Sequence, residues 1–193
     1  MALSRRSLLC TLTGAMAIAA AAGCDDGTTA VTAPTPALSA GQAGFFGGTD
    51  LAWVEINIAM NEQLQPLLAL APAQASQAAV KAFAAQVQAF TERELATLRQ
   101  LHDQAKLPAE NPHEGMPMPG MVTPSQVSEA KAAAGGAFDK LLLQHVKAHL
   151  EQGTSLATSE EKAGVEPQTR ALASQVLTAR ATALKQLTAL RAG

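Results

Sequence analysis

Cysteine and aromatic residues are scarce in this sequence, and their scarcity excludes several classes of site. The 193 residues include two Cys, one Trp, five Phe and no Tyr. Cys10 lies within an apolar N-terminal segment and Cys24 directly follows it, so the rest of the chain has no thiol for a disulfide, a zinc site or a nucleophile. The fold must therefore be stabilised by side-chain packing.

An excess of positive charge is also missing. The chain has 14 Lys and Arg against 16 Asp and Glu. Loss of an N-terminal signal would remove Arg5 and Arg6, leaving 14 − 2 = 12 basic residues against 16 acidic ones, a net charge of −4. With no basic patch and few aromatic side chains, we predict that the protein does not bind nucleic acid.

Residues 1–23 have the pattern of an export signal. Arg5 and Arg6 precede an apolar run, from Leu8 to about Ala22, that is too short for a membrane span. The small residues before Cys24 resemble a bacterial lipobox, which implies cleavage before Cys24 and lipidation of its thiol. The letters "SRRSLL" resemble a twin-arginine signal, and the general secretory route stays open. We predict an exported protein, anchored by lipid to the cell membrane on its extracytoplasmic side.

Two regions follow the signal. Residues 24–48 are rich in Thr, Ala, Pro and Gly without periodicity, which predicts a flexible tether. Residues 49–193 have the length of a single domain with one core.

The domain contains an internal repeat. A shift of 89 residues aligns 60–71 with 149–160, and 80–101 with 169–190, without gaps. Ten residues recur at this distance in the second half, namely Glu62, Gln63, Leu67, Ala82, Ala84, Gln86, Val87, Leu95, Leu98 and Leu101. We predict two repeat units, at about 50–106 and 135–191.

Each unit is predicted to form two helices, which makes the protein all-α. The expected spans are about 49–70, 76–106, 137–162 and 167–191, with breaks at Pro72 and Gly164. Two short turns and one long connection predict an up-down-up-down four-helix bundle. Each buried Leu contributes roughly 1.5–3 kcal/mol, so we expect the bundle to need no cofactor. A capping-box pattern from Thr123 to Gln126 predicts a short helix, Pro124 to about Ala133, in the connection.

Two groups of residues are candidate metal ligands. His145 and His149 are four residues apart on one predicted helical face, a spacing that lets two imidazoles bind one ion. A neutral, hydrogen-bonded pair of core histidines is the alternative. The row Phe138, Leu142, His145, His149, Gln152 and Leu156 is expected to face inward.

The second group lies in the connection, in "NPHEGMPMPGM". His113, Met116, Met118 and Met121 offer imidazole and thioether groups, which favour Cu(I). Packing of the methionines as flexible hydrophobic side chains is the alternative. In an up-down-up-down bundle, Met60 and His149 lie at similar depth, roughly 15–20 Å below the end that this loop crosses. We therefore expect the loop not to reach them.

Patterns typical of enzymes are missing. A di-iron centre requires Glu-x-x-His on two helices, and the only such spacing, Glu110 to His113, contains Pro112 and falls in the loop. The sequence has no Gly-x-Ser-x-Gly elbow and no phosphate-binding loop. We predict that the protein is not an enzyme.

The segment "MPGMVTPSQVSEAKAAAGGAFDKLLLQHVKAHLEQG" resembles the domain of unknown function 305 family, over residues 50–191 of this chain. The resemblance implies an exported, ferritin-like helical protein. It also implies copper as a ligand, since some members bind copper through paired His on the first and third helices. A second family, domain of unknown function 4142, is similar in its paired helices but lacks the Met-Pro-Gly-Met connection.

This chain departs from the family at the paired His. Met60-Asn61 stands at the first pair and His149-Leu150 at the second. Loss of most of the site is the simpler explanation, which makes the protein a lipid-anchored, non-catalytic binding module for an envelope protein or another envelope component. The alternative is a copper-binding envelope protein, active in copper handling or tolerance, with a rebuilt site of His145, His149, Met60 and the loop methionines.

Overall fold

The computed structural model describes residues 44–192, which form helices and contain no strand within that range. The predicted signal, Cys24 and most of the tether lie outside the described residues. The helices are α1 (Gly48–Leu68), α2 (Ala71–Gln74), α3 (Ala78–Ala105), α4 (Pro124–Ala132), α5 (Gly136–Ala163) and α6 (Pro167–Ala192). The four long helices and the short α4 agree with the predicted spans to within a few residues, whereas α2 was not predicted.

The helix ends follow local signals in the sequence. The Thr123 hydroxyl accepts a hydrogen bond from the Gln126 N–H at 3.3 Å, and the Gln126 side chain accepts one from the Thr123 N–H at 2.8 Å. Pro124 and Pro167 occupy first helical positions, where no N–H is required. These caps explain why the starts of α4 and α6 were predictable.

The predicted boundary between tether and domain is a few residues too late. Helix α1 begins at Gly48, and Phe46 packs against the core beside Trp53. The Gly47 N–H donates to the Asp50 carboxylate at 2.7 Å, which fixes the entry of the chain into α1. Residues 44–48 therefore belong to the folded domain.

The leucine rows pack inward, as expected. Leu95, Leu98 and Leu101 are buried, and of their counterparts in α6 Leu187 is buried while Leu184 and Leu190 are half-buried. Two apolar clusters fill the space between the four long helices. Burial of these side chains stabilises the bundle.

The direction of α5 differs from the prediction. Asp139, in the first turn of α5, accepts a hydrogen bond from the Ser76 N–H at 3.0 Å, just before α3 begins. Asp50, in the first turn of α1, accepts one from the Glu166 N–H at 3.0 Å, just before α6 begins. Helices α3 and α5 thus start at one end of the bundle, and α1 and α6 at the other. The predicted up-down-up-down order is wrong, and the observed order is up-down-down-up.

This order depends on a connection that runs along the whole bundle, which we call the crossover (residues 106–135). It begins near the start of α1, where the Asn111 side chain donates to the Glu55 carbonyl at 2.8 Å. It ends near the start of α3, where the Gly135 N–H donates to the Gln74 carbonyl at 3.2 Å. The expectation that this long connection crosses one end of the bundle without reaching the depth of Met60 is therefore wrong, since Met121 of the crossover packs with Met60. A 30-residue segment is long enough for either path, so its length alone does not decide between them.

The two capping aspartates follow the repeat. The shift of 89 residues that aligns the halves carries Asp50 onto Asp139, and Ser76 onto Val165. Each aspartate caps the second helix of the opposite half, since Val165 N–H also donates to Asp50 at 3.0 Å. The two hairpins are thus joined by reciprocal polar contacts at both ends of the bundle.

Candidate metal-binding site

His149 is the buried centre of the candidate site. It lies on α5 with 1% of its surface exposed, beside the Gly120 backbone, and within the described residues no side chain forms a hydrogen bond with either ring nitrogen. Burial lowers the pKa of His149 to about 3 and the nearby Arg180 charge lowers it too, while the Gly120 backbone opposes part of this shift. The ring is neutral at physiological pH and keeps a free lone pair. Buried polar atoms without partners are rare enough to require an explanation.

Thioether groups gather in the same part of the bundle. Met60 on α1 and Met121 in the crossover are buried together, at 1% and 5% exposure, with Met118 packed against them. Because α1 and α5 are antiparallel, Met60 and His149 are each ten residues, about 15 Å, from the capping aspartate at their own end. Both residues therefore lie towards the middle of the bundle, where the crossover passes between its two ends.

Gly120 allows the crossover to approach α5 beside His149. Its φ is +77°, and a Cβ placed on it would lie 2.6 Å from the Gln152 Cβ and 2.8 Å from the Ala148 carbonyl oxygen. Ala148 and Gln152 flank His149 along α5. Any larger residue at Gly120 would meet both the positive φ and this close contact, so glycine positions the adjacent Met121 at the helix.

A buried ion pair adjoins these residues. Arg180 on α6 donates two hydrogen bonds to the Glu94 carboxylate on α3, at 2.8 and 2.7 Å, and the two residues are 1% and 7% exposed. The Asn61 amide donates to Glu94 at 3.4 Å. The guanidinium carbon of Arg180 lies 4.8 Å from the centre of the Phe90 ring, a cation–π contact.

This ion pair was not predicted from the sequence. Glu94 stands among buried residues at helical spacing, between Thr91 and Leu98, and Arg180 likewise between Val176 and Ala183. A charged residue at a core position of each row was the signal that could have found them, because buried charges require partners.

The other predicted ligands lie elsewhere. His113 is half-buried near Glu55, with 3.9 Å between its Nε2 and the Glu55 Oε2, and Met116 is 44% exposed. His145 is half-buried one turn before His149; burial lowers the pKa of His145, and the charge of Glu129 opposes that shift. Of the row predicted to face inward, Phe138, Leu142 and His149 are buried, whereas His145, Gln152 and Leu156 are half-buried.

Harder ligands do not gather anywhere in the described range. Among residues 44–192, no three His, Cys, Asp or Glu side chains are placed together so that they could hold a metal ion. The candidate ligands towards the centre of the bundle are the His149 imidazole and the thioethers of Met60, Met118 and Met121.

A second buried polar group lies where α1 and α6 begin. Asp50 and Glu160 are both fully buried, and no donor within the described part of the chain reaches either Glu160 oxygen. Burial raises the pKa of Glu160 to about 8, as do its hydrogen bond to Asp50 and the negative charges of Asp50 and Glu166, against a smaller effect of Arg170. For Asp50, burial raises the pKa, but hydrogen bonds from Glu160 and from nearby N–H groups lower it overall. Glu160 is therefore the protonated member of the pair.

The fold and the central residues define a class of protein, an all-α four-helix bundle with one long crossover that carries methionine to its centre. No helix in the described part of the chain combines the length and apolarity needed to cross a membrane. Residues 58–191 match the family described as Domain of unknown function (DUF305), so the chain belongs to this family and the predicted resemblance is confirmed.

Two solved structures from the family have a similar fold. A Streptomyces coelicolor protein that is regarded as secreted has a TM-score of 0.67 at 15% identity, covering 74% of this chain and 89% of its own. A DUF305 fragment from Deinococcus radiodurans has a TM-score of 0.69 at 14% identity, covering 75% of this chain and 96% of its own. At these identities the likeness shows the fold alone. A search of curated proteins found no match.

Proposed function

We propose that the protein is a non-catalytic envelope protein that binds one Cu(I) ion through His149, Met60 and Met121, with Met118 as a fourth candidate ligand. The observation that carries this proposal is the fully buried, neutral His149, whose ring has no side-chain hydrogen-bond partner among the described residues and lies in the part of the bundle where the crossover packs its methionines. On this proposal the chain has fewer imidazole ligands than the family pairs provide, and the remaining site still binds copper.

The donor chemistry supports Cu(I) over other ions. Thioether and imidazole are soft or borderline ligands, which suit Cu(I), whereas Mg²⁺, Ca²⁺ and Mn²⁺ prefer carboxylate and carbonyl oxygen. Leu150 and Asn61, the partners of His149 and Met60 at the two family pairs, offer no imidazole. Copper bound here would be held by few ligands, which suits storage or transfer of the ion.

The copper proposal predicts opposite results for two methionines of the crossover. Leucine keeps most of the bulk of methionine and removes the sulfur. We expect Met121→Leu to weaken Cu(I) binding about tenfold or more, a loss of about 1.4 kcal/mol or more. Met116→Leu, at an exposed position, should leave the affinity unchanged. Anaerobic titration of the purified protein against a Cu(I) chelator measures both.

Three controls complete this experiment. Replacement of His149 by Leu should abolish stoichiometric uptake, and circular dichroism checks that each variant remains helical. Replacement of His145 by Ala tests whether the imidazole one turn earlier contributes. A folded wild-type protein that takes up no Cu(I) in competition with the chelator would overturn the proposal.

We also propose the lipid anchor, on the basis of the lipobox-like residues before Cys24. A lipidated protein should appear in the membrane fraction of the cell, and Cys24→Ala should release it because the acyl chains are lost. Cys10→Ala is the matched control, since Cys10 lies within the segment that is predicted to be removed, and it should leave the protein in the membrane fraction. Release of neither variant from a membrane-bound wild type would contradict lipidation at Cys24.

A further inference from the structure

We infer that Gln63 is the latch of a lid. Its side-chain amide holds closed one part of the crossover, which we call the methionine loop (residues 115–122), and its release controls how fast a ligand enters or leaves the buried centre around Met60 and His149. This inference rests on the proposed function for the identity of the ligand, whereas the lid itself is defined by contacts within the protein.

A single glutamine joins both ends of the methionine loop to α1. In the orientation that satisfies both of its polar atoms, the Gln63 amide donates to the Val122 carbonyl at 3.2 Å and accepts a hydrogen bond from the Gly115 N–H at 3.0 Å. A primary amide can do both at once because it carries a donor and an acceptor. Loss of this one side chain would therefore free the two ends of the loop together.

The closed loop covers the buried residues of the candidate site. Met121 packs with Met60, which is 1% exposed. Gly120 lies against α5, where a Cβ placed on it would be 2.8 Å from the carbonyl oxygen of Ala148, the residue before His149. Movement of the loop would uncover both helical residues, whereas any other route to them requires the long helices to separate.

Little else holds the middle of the loop. Met116, Pro117 and Pro119 are exposed, and a Cβ placed on Gly115 would meet no atom within 4 Å. Gly115 and Gly120 have φ values of +73° and +77°, so the chain changes direction on each side of the exposed segment. A segment with few buried contacts opens locally at low cost while the core stays folded.

The latch is accessible from outside the bundle. Gln63 is half-buried and lines a depression between α1, the crossover and α4, together with Glu62, Pro66, Glu114 and Val127. Water in this depression competes for the amide, so its two hydrogen bonds stabilise the closed loop only modestly. The loop can therefore open without unfolding of the bundle.

The repeat places a second glutamine beside the same loop. The shift of 89 residues carries Gln63 onto Gln152 of α5. A Cβ placed on Gly120 would be 2.6 Å from the Gln152 Cβ and 3.2 Å from its Cγ. The stem of Gln152 thus packs against the loop, whereas Gln63 bonds to it through its amide. Because one crossover passes two equivalent glutamines, it contacts each of them differently, and we assign the latch to Gln63.

The first test needs no copper. In the closed loop the N–H groups of Gly115, Met118 and Met121 are hydrogen-bonded. We expect Gln63→Leu to accelerate amide hydrogen exchange about tenfold or more in peptides that cover residues 112–122, and to leave peptides from α3 and α6 unchanged. Mass spectrometry of the purified protein measures both. Gln144→Leu is the matched control, because Gln144 is an exposed glutamine on α5 and its loss should not affect the loop.

The second test follows copper. Gln63 is not a proposed ligand, so its loss should destabilise the closed loop equally with and without the ion. Entry and release should then accelerate together, by about fivefold or more, while the equilibrium affinity stays within about threefold of the wild type. Stopped-flow transfer of Cu(I) to and from a chelator measures the rates. Met121→Leu should differ from Gln63→Leu here, since it removes a ligand and weakens the affinity itself.

The outcomes separate the lid from the copper proposal. Loop exchange in Gln63→Leu that matches Gln144→Leu, or a copper affinity that falls with an unchanged release rate, would overturn the latch. Faster loop exchange in a protein whose wild type binds no Cu(I) would support the lid and overturn the copper proposal.

A second variant covers the case in which Gln63→Leu does not fold. Gln63→Glu keeps the acceptor for the Gly115 N–H and loses the donor to the Val122 carbonyl, so loop exchange should still exceed that of the wild type. Wild-type peptides over residues 112–122 that exchange as fast as an unfolded chain would show that the loop has no closed state, which also contradicts the latch.

Discussion

Arg180→Met alone should lower the free energy of unfolding by about 3–5 kcal/mol, because it leaves the Glu94 carboxylate buried without its counter-ion. Glu94 is 7% exposed, and its one remaining donor would be the Asn61 amide at 3.4 Å. The second substitution, Glu94→Gln, should recover most of this loss by removing the stranded charge. Urea denaturation of the wild type, both single variants and the double variant gives the coupling energy directly.

A surface ion pair provides the control for this double-mutant cycle. Arg99 donates to Glu62 at 2.8 Å, but the two side chains are 61% and 44% exposed. Arg99→Met should cost less than about 1 kcal/mol, since solvent screens the pair and the side chains lose entropy in forming it. If Arg180→Met costs no more than Arg99→Met, the Glu94 carboxylate has found water or another partner, and the pair is not the central buried interaction that its geometry indicates.

Glu160→Gln should make the protein more stable than the wild type near pH 8, because it removes a buried acidic group while keeping the size of the side chain. Folding raises the pKa of Glu160 from 4.5 to about 8. The folded protein therefore holds a proton that the unfolded chain releases between these pH values. The stabilising effect of this bound proton is complete below about pH 4.5 and is lost as the pH rises towards 8.

The size of this effect follows from proton linkage. Wild-type stability should fall relative to that of the Gln variant by about 1.4 kcal/mol per pH unit between about pH 5 and pH 8. Gln keeps the shape of the side chain and can donate to Asp50 at every pH, so its stability should lack this slope. Chemical denaturation of both proteins at several pH values provides the measurement.

Glu151→Gln is the matched control for Glu160→Gln, because Glu151 lies on the same helix α5 but is exposed. It should leave the pH dependence of stability the same as in the wild type. Parallel pH profiles for wild type and Glu160→Gln would show that Glu160 is already ionised in the folded protein. The Asp139 end of the bundle has no equivalent effect, since Ala71 occupies the position that corresponds to Glu160.

Helix positions could be predicted from the sequence because their signals are local. The apolar rows and the caps at Thr123 and Pro167 each act within a few residues, and the structure follows them closely. The direction of α5 could not be predicted in the same way. It depends on contacts between residues far apart in the chain, such as Asp139 with Ser76, and on a crossover long enough to permit either arrangement.

The candidate site was predictable by residue type and not by position. Met116 and Met121 have the same chemistry and lie five residues apart, yet one is exposed and the other is packed beside Met60. Only the path of the crossover, with Gly120 against α5, distinguishes them. The Arg180–Glu94 pair was not predicted, because a buried charge is explained by its partner across the bundle and the local sequence does not identify that partner.

The reciprocal caps of Asp50 and Asp139 have a consequence for how the two halves depend on each other. Each hairpin receives from the other half the carboxylate that accepts hydrogen bonds from the N–H groups just before its second helix. A two-fold dimer of a single short hairpin would make the same exchange between its subunits. Joining the copies in one chain, by a segment that spans their full length, makes this exchange independent of protein concentration.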